Sequence, residues 1–201
     1  DDPSNSTYPN AQINIQDVYD TYGVYGSSDV KVGVVDYQID WSHEEFGDGT
    51  LQGSSIVWGK AYNRGAPFST SFTPMHQHGT LMAGLIGAQR NNDIGIAGVA
   101  GGDDDISQGG VSLLSFDMGI LVSDGNGGFT PELKATANHV QMVIDAVIQD
   151  VDVLNHSISS SSSTYDSYNA FVSAAQLGLV NVCSRGNNGD DRHRYPATLD
   201  D

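Results

Sequence analysis

The amino-acid sequence predicts an α/β fold with an open, mainly parallel sheet and helices on both of its faces. Three observations lead there. Short β-branched runs recur along the chain, helical patterns fill the intervals between them, and residues able to do chemistry stand just beyond the runs. Strand, helix, strand, helix, strand is the order that right-handed crossovers turn into a parallel sheet. In such sheets ligands bind outside the carboxyl ends of the strands.

The runs are Lys31 to Val35, Val111 to Phe116, Val151 to Asn155 and Leu179 to Cys183. Three are nearly continuous apolar stretches, the pattern of strands buried on both faces. Between the first two, His78 opens a helix rich in small residues: Gly79, Ala83, Gly84, Gly87 and Ala88. Small residues let a helix lie close against a sheet. After the second run, Thr130 is placed to cap a helix with Pro131 at its first position and Glu132 in its first turn. Leu133, Ala137, Val140, Ile144 and Val147 would form its buried face. Before the fourth run, a helix from about Tyr165 to Leu177 should bury Phe171, Val172 and Ala175, with Gly178 as its terminator.

Composition bounds the function. The 201 residues suit one domain, 1–201, or the larger part of one. Eight basic against 25 acidic residues give a formal charge of −17, which would repel a phosphate backbone, so nucleic acid is not expected as a partner. No apolar run approaches the roughly 20 residues of a membrane helix, so no membrane span is expected. Asp1 to Asn10 is polar and reads as the start of a mature or trimmed chain, and Asn5-Ser6-Thr7 is a glycosylation sequon. Cys183 is the only cysteine, which excludes an internal disulfide and a thiolate metal cage. The acidic balance fits a solubilising surface, cation binding or saline surroundings alike.

Three residues beyond the runs carry candidate chemistry. Asp36 follows the first run; alone it reads equally as the cap of a turn. His78 begins its helix, where the dipole and desolvation favour a neutral imidazole suited to act as a base; alone it reads as a satisfied core histidine. Asn187, in Gly186-Asn187-Asn188-Gly189 after the fourth run, can donate to an oxyanion or simply form a turn.

Taken in order, Asp at a strand end, His78-Gly79-Thr80 opening a helix and Gly-Asn-x-Gly after a later strand resemble the subtilisin-like serine peptidases. Asn91 to Ala100 resembles that family's loop after the histidine helix, and Asp40 and His43 match positions following its acid. The resemblance runs from about Ile13 to the end of the chain. It implies that Asp36 orients His78, that His78 moves the proton of a serine hydroxyl, and that Asn187 donates to the tetrahedral oxyanion. It implies an extended peptide or protein substrate, its backbone held by main-chain hydrogen bonds from Ser157, Ile158, Ser159 and Ser160 and its side chain received beside them and Gly186. It also implies a structural Ca²⁺, held by Glu45 and Asn92 with main-chain oxygens of Arg90, Ile94 and Ile96, an oxygen-only set that suits this hard cation.

The chain departs from the family pattern in places. Tyr37-Gln38 follows the acid where Thr or Ser and then Gly are usual, Leu81 replaces a common His, and Arg185 stands among positions usually small and apolar. The nucleophile of the family lies in a Gly-Thr-Ser-Met-Ala-type segment opening a later helix, and the 201 residues hold neither that nor a Gly-x-Ser-x-Gly elbow. The expectation is therefore a subtilisin-like fold truncated before the nucleophile helix, inactive alone, with its own C-terminal segment or a pro-segment as partner. Secretion is expected on the same resemblance. Two other readings compete: a non-catalytic subtilisin-like peptide-binding module, and a zinc hydrolase using His76, His78 and an acid.

Overall fold

A computed structural model describes residues 13–50, 52–62, 76–102, 109–133 and 139–198. The sequon and Ala137 lie outside them. The sheet forms from β1 (Lys31–Asp36), β2 (Ile56–Ala61), β3 (Ser112–Asp117), β6 (Val153–His156) and β7 (Val180–Cys183), all parallel, in the order β2-β3-β1-β6-β7. The four predicted runs are all strands of it, β6 starting two residues late. Strand β1 is central. Its Asp36 stands opposite Asp117 of β3, its Val35 opposite His156 of β6, and His156 opposite Cys183 of β7. The strands therefore end level, and the loops that follow them leave from one edge.

Residues alternate across the sheet, as the pleat requires. Val32, Val34, Leu113 and Ile56 pack with Ala83 of helix α2 (His78–Gly87) on one face. Val35, Leu114, Phe116 and Leu154 pack on the other with Met142, Val143 and Ala146 of α3 (His139–Ile148) and Phe171 and Ala174 of α4 (Tyr165–Gln176). Gly33 of β1 has no room for a side chain, since a Cβ there would stand 2.5 Å from Leu154 and 2.8 Å from Phe116. Helix α2 buries Gly79, Ala83, Gly84 and Gly87, the small residues the sequence supplies for a close approach.

The segment from Thr130 is not a helix start. Phe129–Leu133 is β5, paired antiparallel with β4 (Gly119–Ser123), Leu121 opposite Pro131. The reason lies in Asp124 to Gly128: the Asp124 carboxylate accepts from the N–H groups of Asn126 and Gly128, and Gly125 and Gly127 take positive φ. That turn folds the chain back, and a proline is tolerated in a strand at an edge. Helix α3 buries Met142, Val143 and Ala146, leaving Ile144 exposed, and α4 buries Ala174 in place of Ala175 and exposes Val172. A short helix α1 (Ile15–Tyr22) was not expected either. It is pinned by the Tyr19 hydroxyl donating to the Val99 carbonyl (2.5 Å) and by Arg90 lying 4.3 Å over the Tyr19 ring.

Two buried histidines belong to the α3–α4 side. His139 opens α3 and His156 ends β6; their rings meet edge-on at 6.3 Å, and both pack on Phe171. Burial pushes His139 down to about 4 and His156 to about 3. A base depressed in the folded state is protonated first in the unfolded chain. The stability it permits is complete above about 6.5 and is lost as pH falls towards the folded values, at about 1.4 kcal/mol per unit of depression. Denaturant midpoints should therefore fall from about pH 6.5 to 4, and less steeply in His139→Phe or His156→Leu. An unchanged slope in both variants would refute this.

Candidate active site

Asp36 closes β1 with no solvent exposure. Its Oδ1 accepts from the Tyr37 N–H (2.7 Å), and the carboxylate faces His78 Nδ1 at 2.9 Å from Oδ1 and 2.7 Å from Oδ2. An ionised carboxylate only accepts, so Nδ1 carries a proton, and in the neutral imidazole that arrangement puts the lone pair on Nε2. The two residues are 42 apart in sequence and come from different elements. The His78 side chain is 39% exposed, against 0% for Asp36, so the pair is buried at the acid and open at the base.

The residues after His78 explain how the contact closes. A Cβ on Gly79 would stand 2.0 Å from the Tyr37 carbonyl oxygen, so only glycine lets the first turn of α2 settle on the end of β1. Thr80 Oγ1 accepts from the Asp40 N–H at 3.0 Å, tying the loop after β1 to the same turn. Burial raises the Asp36 pKa above the ordinary carboxylate value, opposed by the Tyr37 N–H and by His78.

Asn187 lies exposed in the loop after β7, the second strand along from β1. Gly186 before it has φ of 82°, and a Cβ there would come 2.9 Å from Ser159 Oγ, so the loops after β6 and β7 touch. Ser159 and Gly186 are thus brought to one place, while the Ser157 hydroxyl accepts from the Asn155 amide at 2.8 Å. Ser160 needs correction. Ser160 gives its N–H to the Tyr195 carbonyl (2.8 Å) and accepts the Tyr195 N–H (2.9 Å), so its main chain is engaged inside the protein. The Ile158 side chain is 5% exposed and belongs to the core, which leaves the part expected of its main chain untouched. Tyr195 was missed, since nothing in the local pattern marks a partner 35 residues away.

The loop with the candidate cation ligands curls around Glu45. Asn91, Asp93 and Gly95 take positive φ at alternate positions. Glu45, buried in a 3₁₀ turn (Glu44–Phe46), accepts the Ile96 N–H on Oε1 at 2.7 Å, while Oε2 is buried without a partner. Asn92 Oδ1 accepts the Ile94 N–H at 3.2 Å, and its Nδ2 is also buried without a partner. Arg90 packs its guanidinium on Tyr19 and Tyr25. Among the described residues no cluster of three or more His, Cys, Asp or Glu is placed to hold a metal, so the zinc reading finds no support there.

Comparison with known proteins supplies the rest. The family model described as the subtilase family matches residues 27–200. Fervidolysin of Fervidobacterium pennivorans is 32% identical over 85% of this chain and 22% of its own length. The thermophilic serine proteinase of Bacillus sp. strain AK1 is 27% identical over 98% of this chain and 44% of its own. The halolysin-like extracellular serine protease Nep of Natrialba magadii is 28% identical over 96% and 32%. The chain thus spans less than half the length of these three relatives. In fold it is similar to the prenylagaramide maturation protease PagA (TM-score 0.63, 16% identity, 94% of this chain and 56% of that one).

The raised pKa of Asp36 has a testable sign. An acid raised by folding is neutral in both states below about 3.8, and its ionisation costs stability as pH climbs through the folded value. Asp36→Asn keeps the acceptor for Tyr37 and removes the charge. It should be more stable than wild type by denaturant melt at about pH 7, the gap closing at about pH 3. A wild type that is the more stable at neutral pH would contradict this.

Proposed function

The chain belongs to the subtilase family, and on that premise we propose that it is the acid-and-base portion of a serine endopeptidase, completed by a nucleophilic serine outside these 201 residues. The contact of His78 Nδ1 with the Asp36 carboxylate carries the reading. Held there, the imidazole presents Nε2 to a serine hydroxyl. It takes the proton as the oxygen attacks the peptide carbonyl, then delivers it to the departing amine. Asp36 stays ionised and stabilises the imidazolium. The Asn187 amide donates to the oxyanion of the tetrahedral intermediate. Substrate lies extended beside Ser157 and Ser159, paired by main chain, with the lip of Gly186 next to it.

Two observations support this over a binding-only module. The unusual Tyr37 does not disturb the acid but donates its N–H to it, and Gly79 still permits the close approach. Completion by further chain is supported by β7, which stands at the sheet edge with Val180 and Val182 half-exposed. Secretion belongs to the same reading; the Natrialba relative is named as extracellular. A protein carrying the missing segment should hydrolyse peptides, and the chain 1–201 alone should show neither amidase activity nor labelling by a fluorophosphonate. In the active protein Asn187→Ala should lower turnover by about 10²–10³, a figure that itself comes from a subtilisin. Full turnover without the Asn187 amide, or labelling of residues 1–201, would overturn the assignment.

Ca²⁺ fits the loop around Glu45. The donors are all oxygens: the Glu45 carboxylate, the Asn92 amide and the carbonyls of Arg90, Ile94 and Ile96. The buried Glu45 Oε2 has no partner in the protein, and leaving such a group without one is costly. Bound there, the ion would neutralise that charge and fix the loop. Calcium at about 100 times its dissociation constant should stabilise the protein by about 2.7 kcal/mol. Thermal melts should show the gain in wild type and its loss in Glu45→Gln; equal shifts in both would place the ion elsewhere.

A further inference from the structure

Resting on the peptidase reading above, we infer that Tyr37 and His76 form a stacked platform that positions the backbone of His78 by a route separate from the Asp36 contact. Asp36 orients the imidazole, but the main chain of His78 sits in the first turn of α2, where N–H groups lack intrahelical partners. Gln77, at the N-cap position, makes no side-chain cap bond. His76 supplies it instead: its Nδ1 accepts the His78 N–H at 3.1 Å. Acting as acceptor at Nδ1 requires a neutral His76 with its proton on Nε2.

His76 is exposed, and an exposed ring would not hold one orientation unaided. Tyr37 holds it. The two rings stack with centroids 4.8 Å apart and planes 27° from parallel, and Tyr37 is 8% exposed. Tyr37 is itself fixed at both ends, its N–H on Asp36 Oδ1 and its carbonyl against Gly79. The contacts close a ring: Asp36 to Tyr37, Tyr37 to His76, His76 to His78, His78 back to Asp36. A Thr or Ser after the acid, usual in the family this chain resembles, has no aromatic face, so the platform depends on the departure at position 37. Tyr37 and His76 are positioning residues, because they act only through His78.

The test uses two readouts. In the full-length protease, Tyr37→Ala and His76→Leu should each lower kcat about tenfold with little change in KM, because an ill-set base loses the transition state and not substrate binding. Tyr37→Phe keeps the ring and should match wild-type kcat, while His76→Asn keeps an acceptor oxygen without the stacked ring and should fall between wild type and His76→Leu. In the chain 1–201, NMR exchange of the His78 Nδ1 proton with solvent should quicken in Tyr37→Ala and His76→Leu, less so in His76→Asn, and stay slow in Tyr37→Phe. Wild-type kcat and exchange in His76→Leu, or a Tyr37→Phe as impaired as Tyr37→Ala, would overturn the platform. Should Tyr37→Ala not fold, the variants of exposed His76 decide. If the full-length wild type hydrolyses nothing, the peptidase reading falls while the exchange measurement still judges the platform.

Discussion

A carboxylate without solvent contact, at the end of the central strand, is the constraint to which the rest of this structure answers. Desolvation alone would drive Asp36 towards its neutral form. What opposes that is local and specific: one main-chain N–H from Tyr37 and one imidazole brought from 42 residues away. To reach the carboxylate, His78 must start a helix that lies almost against the strand end. That explains Gly79, which gives way to the Tyr37 carbonyl, and the buried Ala83, Gly84 and Gly87 that let the helix body follow. The small residues of α2 and the buried acid of β1 are two sides of one demand.

The parts of the fold that could be read from sequence are those where one signal dominates. Continuous apolar runs mark strands buried on both faces, and β1, β3, β6 and β7 follow from them. Helix α2 could be read because few other roles call for so many small residues after a histidine. Where signals compete, the sequence misleads. Thr130-Pro131-Glu132 has every mark of a helix start, yet the turn at Asp124 to Gly128 sets the register and turns those residues into β5. In α4, Val172 and Phe171 are equally apolar neighbours, and only the angle of the helix on the sheet decides that Phe171 is buried. Strand β2 escaped because it is an edge strand whose exposure varies along its length.

The candidate site divides the same way. Residue types just beyond strands gave Asp36 and Asn187, and a histidine opening a helix of small residues gave His78. Contacts made by main chain could not be foreseen. Ser160 looked like part of a substrate-binding strand because it continues Ser157 to Ser159, but its bonding groups are matched to Tyr195. Nor could the stacking of Tyr37 on His76 be inferred from two residues 39 positions apart.

These main-chain facts also shape the proposed recognition surface. The segment after β6 is open at Ser157 and Ser159 and closed at Ser160, where the Tyr195 bridge begins. A peptide pairing with this segment, as proposed, would therefore meet a built-in end, and the bridge that stops it also anchors the segment. Gly186 touches Ser159 from the neighbouring loop, so the loop carrying Asn187 rests on the surface that would hold the substrate backbone. An amide intended for an oxyanion has to be in register with the bond being cut. Resting on the segment proposed to bear substrate, and not on a separate scaffold, would tie the position of Asn187 to that of the substrate itself.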